Sequence, residues 1–162
     1  MNVTITSPFW KQRRDQIVES VIPYQWGVMN DEIATEVPDD PAGNQLADNK
    51  SHAVENLRIA AGDETGEFHG MVFQDSDIYK WLEEAAYALS YHPDPQLREL
   101  CDKTVDLIAR AQQSDGYLDT PYQIKTGEWA HRERFTLIQQ SHEMYVICLL
   151  YTSPSPRDGL LS

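Results

Sequence analysis

The pair His142-Glu143 is the part of this sequence that comes closest to a metal-dependent active site. In zinc proteases, such a pair is followed by a second histidine four residues after the first, so that both imidazoles share one helix face. Here Val146 occupies that position. The motif therefore does not predict a zinc site, and a lone histidine such as His142 is more often structural than functional.

Two pairs of acidic residues could bind calcium or supply acid and base groups. Asp75 and Asp77 begin like a calcium loop, but Lys80 replaces the turn glycine, and capping of a helix start is the better interpretation. Asp115 and Asp119 have the types that a glycosidase needs, yet carboxylates close to a helix end are usually caps. Neither pair predicts a catalytic site.

The cysteines do not suggest a reactive site. There are two, Cys101 and Cys148, which excludes a disulfide framework and a four-cysteine metal site. Cys101 lies on the apolar stripe of a predicted helix, so we interpret it as a small buried hydrophobic residue. The sequence also has no phosphate-binding glycine loop, dinucleotide fingerprint or serine nucleophile elbow. Spacing alone therefore assigns no catalytic residue.

The elements that must position these residues are predicted to be helices. Over residues 75–91, apolar side chains recur at i, i+3, i+4, i+7, i+8 and i+11, the stripe of an amphipathic helix. Asp94 and Pro95 are suited to the cap and first turn of a second helix, which should end near Gly116. A short turn between the two helices predicts a helical hairpin.

The rest of the chain gives weaker signals of secondary structure. Helices are predicted over residues 10–26 and 52–61, and a last helix is predicted to begin near Gln140. Residues 115–139 form a long aromatic connection, the kind of segment in which helical enzymes place their sites. Residues 3–5 are the one possible strand. The sequence predicts an all-α fold.

Composition limits the partners of the protein. The chain has 162 residues, 41% of them hydrophobic, and a net charge of -13. A domain of this size can bury a core, and this charge repels nucleic acid and anionic membranes. No apolar run approaches the roughly 20 residues that span a bilayer, and no signal peptide is recognisable. We therefore expect no nucleic-acid or membrane partner and a cytoplasmic location.

Three stretches carry a resemblance to a known family. They are FHGMVFQDSDIYKWLEEAAYAL at residues 68–89, AQQSDGYLDT at 111–120 and QQSHEMY at 139–145. Together with SPFWKQRR and IPYQWGVMND near the start, they resemble the beginning of glycoside hydrolase family 127, the beta-L-arabinofuranosidases. The resemblance covers nearly everything from residue 2 to residue 147.

The resemblance implies an (α/α)6 barrel, of which this chain holds the N-terminal helices only. It implies a retaining, exo-acting enzyme that releases L-arabinofuranose from arabino-oligosaccharides or hydroxyproline-linked glycans. In the family, the nucleophile is a cysteine beside a zinc ion held by further cysteines and a glutamate, and another glutamate is the acid/base residue. All of these belong to later parts of the family's sequence, so we expect no catalytic residue and no bound zinc in this chain.

We predict three substrate-binding residues, one from the resemblance and two from their position in the chain. His142 matches the family histidine that hydrogen-bonds the hydroxyls of the arabinofuranose ring. Gln45 and Phe73 lie in loops before predicted helices, where they would line the same pocket as a polar contact and an apolar wall.

The last residues differ in character from the rest. Residues 148–158, CLLYTSPSPRD, look like the translation of a transposase adapter used in sequencing libraries, with read-through beyond them. We therefore predict a boundary between a native part, residues 1–147, and a non-native tail, residues 148–162. The alternative is a natural flexible tail. A barrel of about twelve helices needs on the order of 200 residues, so the chain is expected to be inactive, and poorly soluble or self-associating when expressed alone.

Two other functions remain open. The first is another (α/α)6 carbohydrate-active enzyme, which would share the barrel helices and the QQSDGYL turn. The second is a non-catalytic helical binding module, although no repeat of fixed period supports a solenoid. The downstream catalytic residues of the parent protein would discriminate among these possibilities. The oligomeric state is not predicted.

Overall fold

The structure is a computed structural model that describes residues 4–35 and 49–152. Within these ranges it is helical and has no strand, so the strand considered at residues 3–5 is not formed at the two of its residues that are described. The α-helices are α1 (Pro8–Gln16), α2 (Ile22–Met29), α3 (Ala53–Ala61), α4 (Asp75–Tyr91), α5 (Pro95–Ala111), α6 (Thr120–Ile124), α7 (Ile138–Ser141) and α8 (Glu143–Thr152). A π-helical segment, Ile17–Val21, joins α1 to α2, and Gly127–Trp129 is a 3-10 turn.

Helix α4 is the centre of the fold and has the bounds that the periodicity predicts. Its apolar stripe is buried, with Ile78 and Ala85 fully inaccessible to solvent. Trp81 stacks on Trp26 of α2 with ring centroids 4.7 Å apart, and its Nε1 donates a 3.1 Å hydrogen bond to the Ile22 carbonyl oxygen. Helix α4 therefore packs firmly on the N-terminal helices.

Helix α5 follows the predicted turn but ends earlier than predicted. Asp94 accepts hydrogen bonds from the amides of Gln96 and Leu97, which confirms the predicted cap. The helix ends at Ala111, not near Gly116, and Gly116 uses its left-handed φ of +87° in the turn that follows. Cys101 is fully buried on α5, and burial raises the pKa of its thiol to about 12, which agrees with its interpretation as a core residue.

The helices form two layers. Helices α2 and α8 both pack against α4 and make one layer with it, while α3 and α5 pack on each other and on α4 to make the second. The outer surface of α8 carries exposed apolar side chains, among them Met144 and Tyr151. No helix in the described ranges combines the length and the apolar character that are needed to cross a membrane.

We expect Ile78→Ala to destabilise the chain by about 2–5 kcal/mol, because it opens a cavity in the buried hydrophobic core. Urea unfolding followed by circular dichroism would measure the change. Tyr87→Ala is the matched control, since Tyr87 lies on the same helix with 59% of its surface exposed. Equal losses for the two variants would contradict the packing described here.

Candidate functional site

His142 and Phe73 are brought together by the fold. Their rings meet edge to face with centroids 5.4 Å apart, although 69 positions separate them in the sequence. Phe73 is half-buried and stands just before α4, while His142 is exposed and stands just before α8. The third predicted site residue, Gln45, lies outside the described residues. The start of two neighbouring helices is thus the candidate site.

The backbone at His142 adopts the left-handed conformation, with φ of +57°. It forms the sharp turn between α7 and α8, a conformation that costs a non-glycine residue on the order of 1 kcal/mol or more. Its Nδ1 lies 3.2 Å from the carbonyl oxygen of Gln140. From this turn the ring contacts both Phe73 and Tyr145 of α8.

Glu143 holds this turn in place. Its side chain is fully buried, and its carboxylate accepts hydrogen bonds from the Tyr117 hydroxyl at 2.7 Å, the Ser141 hydroxyl at 2.9 Å and the Phe135 amide at 3.0 Å. Ser141 and Glu143 are the residues on either side of His142 in the sequence. The hydrogen bond between their side chains therefore bridges the turn at His142. Glu143 was missed at the sequence level because its partners lie up to 26 residues away.

The loop that carries Phe73 is fixed by a second set of polar contacts. Gln74 donates a 2.9 Å hydrogen bond to the Ser51 hydroxyl and accepts one of 2.7 Å from the Met71 amide. Gly70 has a φ of +93°, and a Cβ at this position would overlap the Gln74 side chain. The loop therefore requires glycine at position 70, and it places Phe73 against the His142 ring.

A cluster of buried acidic residues lies beneath the site. Asp75 does not cap its own helix as predicted, because Gln74 is the N-cap residue. Instead the Asp75 carboxylate accepts hydrogen bonds from the amide and hydroxyl of Thr120, at 2.7 and 2.8 Å, and so ties the start of α4 to the start of α6. Burial raises the pKa of Asp75 to about 6 despite these hydrogen bonds.

Asp119 and Asp115 have different environments. Asp119 is the N-cap residue of α6, but its fully buried side chain makes no capping hydrogen bond, and neither of its carboxyl oxygens has a hydrogen-bond partner. Burial, followed by the nearby charges of Asp75 and Glu143, raises the pKa of Asp119 to about 9, so that the group is a neutral acid at pH 7. Asp115 is an ordinary turn residue, whose carboxylate accepts from the Tyr117 amide and pairs with Arg134 at 2.8 Å.

The described residues do not fit the zinc set that the resemblance implies. One group of potential metal ligands converges in this part of the chain, namely Asp31, His52 and Glu55, and it has no thiolate. Its His52 Nδ1 lies 2.5 Å from Glu55 Oε2, which is a hydrogen bond and not a pair of ligands around an ion. The buried Cys101 keeps its proton and packs in the core.

Comparison with solved structures defines the class of protein. The chain matches the crystal structure of a GH127 beta-L-arabinofuranosidase from Geobacillus stearothermophilus T6 with a TM-score of 0.76 and 40% sequence identity. The match covers 99% of this chain and 24% of that one. It confirms the prediction of an all-α, partial (α/α)6 barrel, and the fold is that of a helical glycoside hydrolase.

The chain belongs to the beta-L-arabinofuranosidase family GH127, because the model of that family's catalytic domain matches residues 2–153. It is also 84% identical, over 147 residues, to the "non-reducing end beta-L-arabinofuranosidase" of Bifidobacterium longum subsp. longum. That alignment covers 91% of this chain and 22% of the relative, so the chain spans less than a quarter of the relative's length.

The boundary predicted after residue 147 stays a prediction. Helix α8 continues without a break to Thr152, and the family match extends to residue 153. The alignment with the Bifidobacterium relative is 147 residues long, which is the length of the predicted native part. The remainder of the predicted tail, residues 153–162, lies outside the described residues.

We expect the free energy of unfolding to fall as the pH rises from about 4 to about 9. Asp75 and Asp119 bind protons more tightly in the folded chain than in the unfolded one. Their contribution is fully present below the unfolded pKa of 3.8 and is lost as the pH rises to about 6 for Asp75 and about 9 for Asp119. Each such proton changes the free energy by about 1.4 kcal/mol per pH unit.

Urea unfolding at pH 6, 7 and 8 measures this dependence. Asp119→Asn should remove most of the slope in this window and make the chain more stable than the parent at pH 8. The control is Asp115→Asn, because the pKa of Asp115 is held below its usual value by its hydrogen bonds to Tyr117 and Arg134. A parent chain whose stability does not change over this window would contradict the assignment.

We expect Glu143→Ala to release the His142 ring from Phe73. The substitution removes the acceptor of three hydrogen bonds and so loosens the left-handed turn. In proton NMR spectra of the chain, the imidazole signals of His142 should move toward their random-coil positions as the ring current of Phe73 is lost. The signals of His92, at the far end of α4, serve as the control. An unchanged His142 signal would contradict the role of Glu143.

Proposed function

We propose that this chain is the N-terminal part of a retaining, exo-acting beta-L-arabinofuranosidase that releases L-arabinofuranose from arabino-oligosaccharides or hydroxyproline-linked glycans. The observation that carries the proposal is the 84% identity to a beta-L-arabinofuranosidase that acts, by its name, at the non-reducing end. The family match favours this function over other (α/α)6 carbohydrate-active enzymes and over a non-catalytic helical module.

The proposed role of the chain is to bind the terminal sugar. With its proton on Nδ1, His142 donates to the Gln140 carbonyl oxygen, and Nε2 is then the acceptor that meets a sugar hydroxyl. Phe73 supplies an apolar wall for the C–H groups of the furanose ring, and Gln45 supplies a further polar contact. A mostly apolar wall with a few oriented polar groups suits a small neutral ligand.

The chemical step belongs to other parts of the enzyme in this proposal. The cysteine nucleophile, the acid/base glutamate and the zinc ligands lie outside this chain, so the chain alone neither hydrolyses substrate nor binds zinc. When bound, the zinc ion stabilises the thiolate form of a cysteine, which is the nucleophilic form. The partner of the chain is a small carbohydrate, with no nucleic acid and no membrane.

The setting of the enzyme is also part of the proposal. We place it in the cytoplasm and in carbohydrate metabolism, where arabino-oligosaccharides would be its substrates. Residues 148–162 are proposed to be a tail that is foreign to the natural protein.

A hybrid enzyme tests this function. Residues 1–147 of this chain are joined to the part of the Bifidobacterium longum relative that the match leaves uncovered. The hybrid should hydrolyse an aryl beta-L-arabinofuranoside with retention of configuration, while the 162-residue chain alone should give no turnover above a buffer blank. A folded but inactive hybrid, or an active chain alone, would overturn the corresponding part of the proposal.

In the same hybrid, His142→Ala should lower kcat/KM by about 10- to 100-fold, the cost of losing one hydrogen bond to a substrate hydroxyl. His92→Ala is the control, because His92 is exposed at the opposite end of α4. Equal activities of the two variants would remove His142 from the site.

A further inference from the structure

The exposed surface next to His142 continues along α8 and α4. Tyr145 lies one helical turn beyond His142, with ring centroids 6.3 Å apart, and 43% of its surface is exposed. On the neighbouring helix, the Nζ of Lys80 lies 5.2 Å from the centroid of the Tyr145 ring, within cation-π distance. An aromatic ring thus links the candidate histidine to a cation on α4.

The Lys80 ammonium is held by two neighbours. Its Nζ pairs with Asp77 Oδ1 at 3.0 Å, one turn earlier on α4, and Tyr145 lies on its other side. Burial alone would lower the pKa of Lys80, but the contacts with Tyr145 and Asp77 raise it, so the group stays charged. An ammonium carries three N–H donors. The salt bridge and the contact with the ring face do not use all three, so the group is still able to donate to a ligand.

The same ammonium borders a cavity. A space of about 320 Å³ lies between α2 and α4, and Asp77, Lys80 and Glu84 form one wall of it. Tyr24 and Gln25 face them from α2. The lining of this cavity includes neither His142 nor Phe73 nor Tyr145, so Lys80 borders both this space and the Tyr145 ring.

We propose that Lys80 is a further substrate-binding residue, whose ammonium, held by Asp77 and Tyr145, donates a hydrogen bond to a hydroxyl of the sugar that His142 and Phe73 bind. The Tyr145 ring contacts both polar groups and so sets their spacing. This inference rests on the proposed function and extends its site from α8 to α4. Asp77 is a positioning residue, because it acts through Lys80.

The test uses the hybrid enzyme described above. Lys80→Met keeps the length of the side chain and removes the charge and its donors. We expect KM for an aryl beta-L-arabinofuranoside, and the Kd for free L-arabinose, to rise about 10-fold with kcat changed less than threefold, the loss of one hydrogen bond from a charged donor that acts in binding. Lys80→Arg should recover part of the loss.

Lys103→Met is the matched control. Lys103 also makes an exposed ion pair on a helix, to Glu99 at 2.7 Å, but it lies on α5 in the other layer. We expect this variant to keep the KM and Tm of the hybrid. A Lys80→Met variant with the KM and Kd of the hybrid, or one whose losses only follow a lowered Tm, overturns the inference and leaves Lys80 as a surface ion pair.

Monodeoxy substrates identify the contact itself. If Lys80 donates to one hydroxyl, the effect of Lys80→Met should disappear with the one substrate that lacks this hydroxyl and persist with the others. An equal effect on every deoxy substrate would contradict a direct hydrogen bond. A hybrid that folds but neither hydrolyses the substrate nor binds L-arabinose overturns the proposed function and this inference with it, whereas an active hybrid with an unaffected Lys80→Met variant overturns the inference alone.

Discussion

The buried carboxylate of Glu143 is the interaction on which the candidate site depends. It is removed from water and is stabilised by hydrogen bonds from Tyr117, Ser141 and Phe135, which lie in three different segments of the chain. A buried charge without such donors would cost several kcal/mol. These donors keep the carboxylate in the interior, and the carboxylate in turn keeps the long aromatic connection and the turn at His142 in one arrangement.

Helix α4 and the loop before it fix the position of Phe73, the other half of the candidate site. Asp75 binds the start of α6 through Thr120, Gln74 fixes the loop of Phe73, and Trp81 anchors the same helix to α2. The first turns of α4 therefore connect core packing, a buried acidic cluster and the half-buried ring of Phe73. Because α4 and α8 are neighbours in one layer, residues that are far apart in the sequence share one surface at their starts.

The chain covers less than a quarter of its GH127 relatives, and within it α2, α3, α5 and α8 all pack against α4. Its second layer closes the core on one side, while α8 keeps exposed apolar side chains such as Met144 and Tyr151. In the proposed enzyme, the parts outside this chain supply the nucleophile and the acid/base group. The chain would then contribute the surface that recognises the sugar, with the family's chemistry added from elsewhere in the barrel.

The sequence by itself determined the elements whose signals are local. The apolar period of α4, the Asp94 cap of α5 and the burial of Cys101 are readable because each depends on neighbours within a few turns. The resemblance to GH127 added the family itself and His142 as a candidate, and the position of Phe73 before a helix made it a second candidate. In these parts of the protein, the residues that determine the local structure lie close together along the chain.

Only the tertiary structure decided which polar groups meet. Asp75 and Asp119 look like local caps in the sequence, yet Asp75 binds Thr120 across 45 positions and Asp119 is left as a buried acid without a partner. Packing of the helices likewise sets the hydrogen bonds by which Glu143 holds the turn at His142. It also sets the contact of Lys80 with Tyr145. The apolar period of a helix shows which of its faces is buried. It does not show the partner of a buried polar group, because that group must be hydrogen-bonded by whichever residue the fold brings within reach.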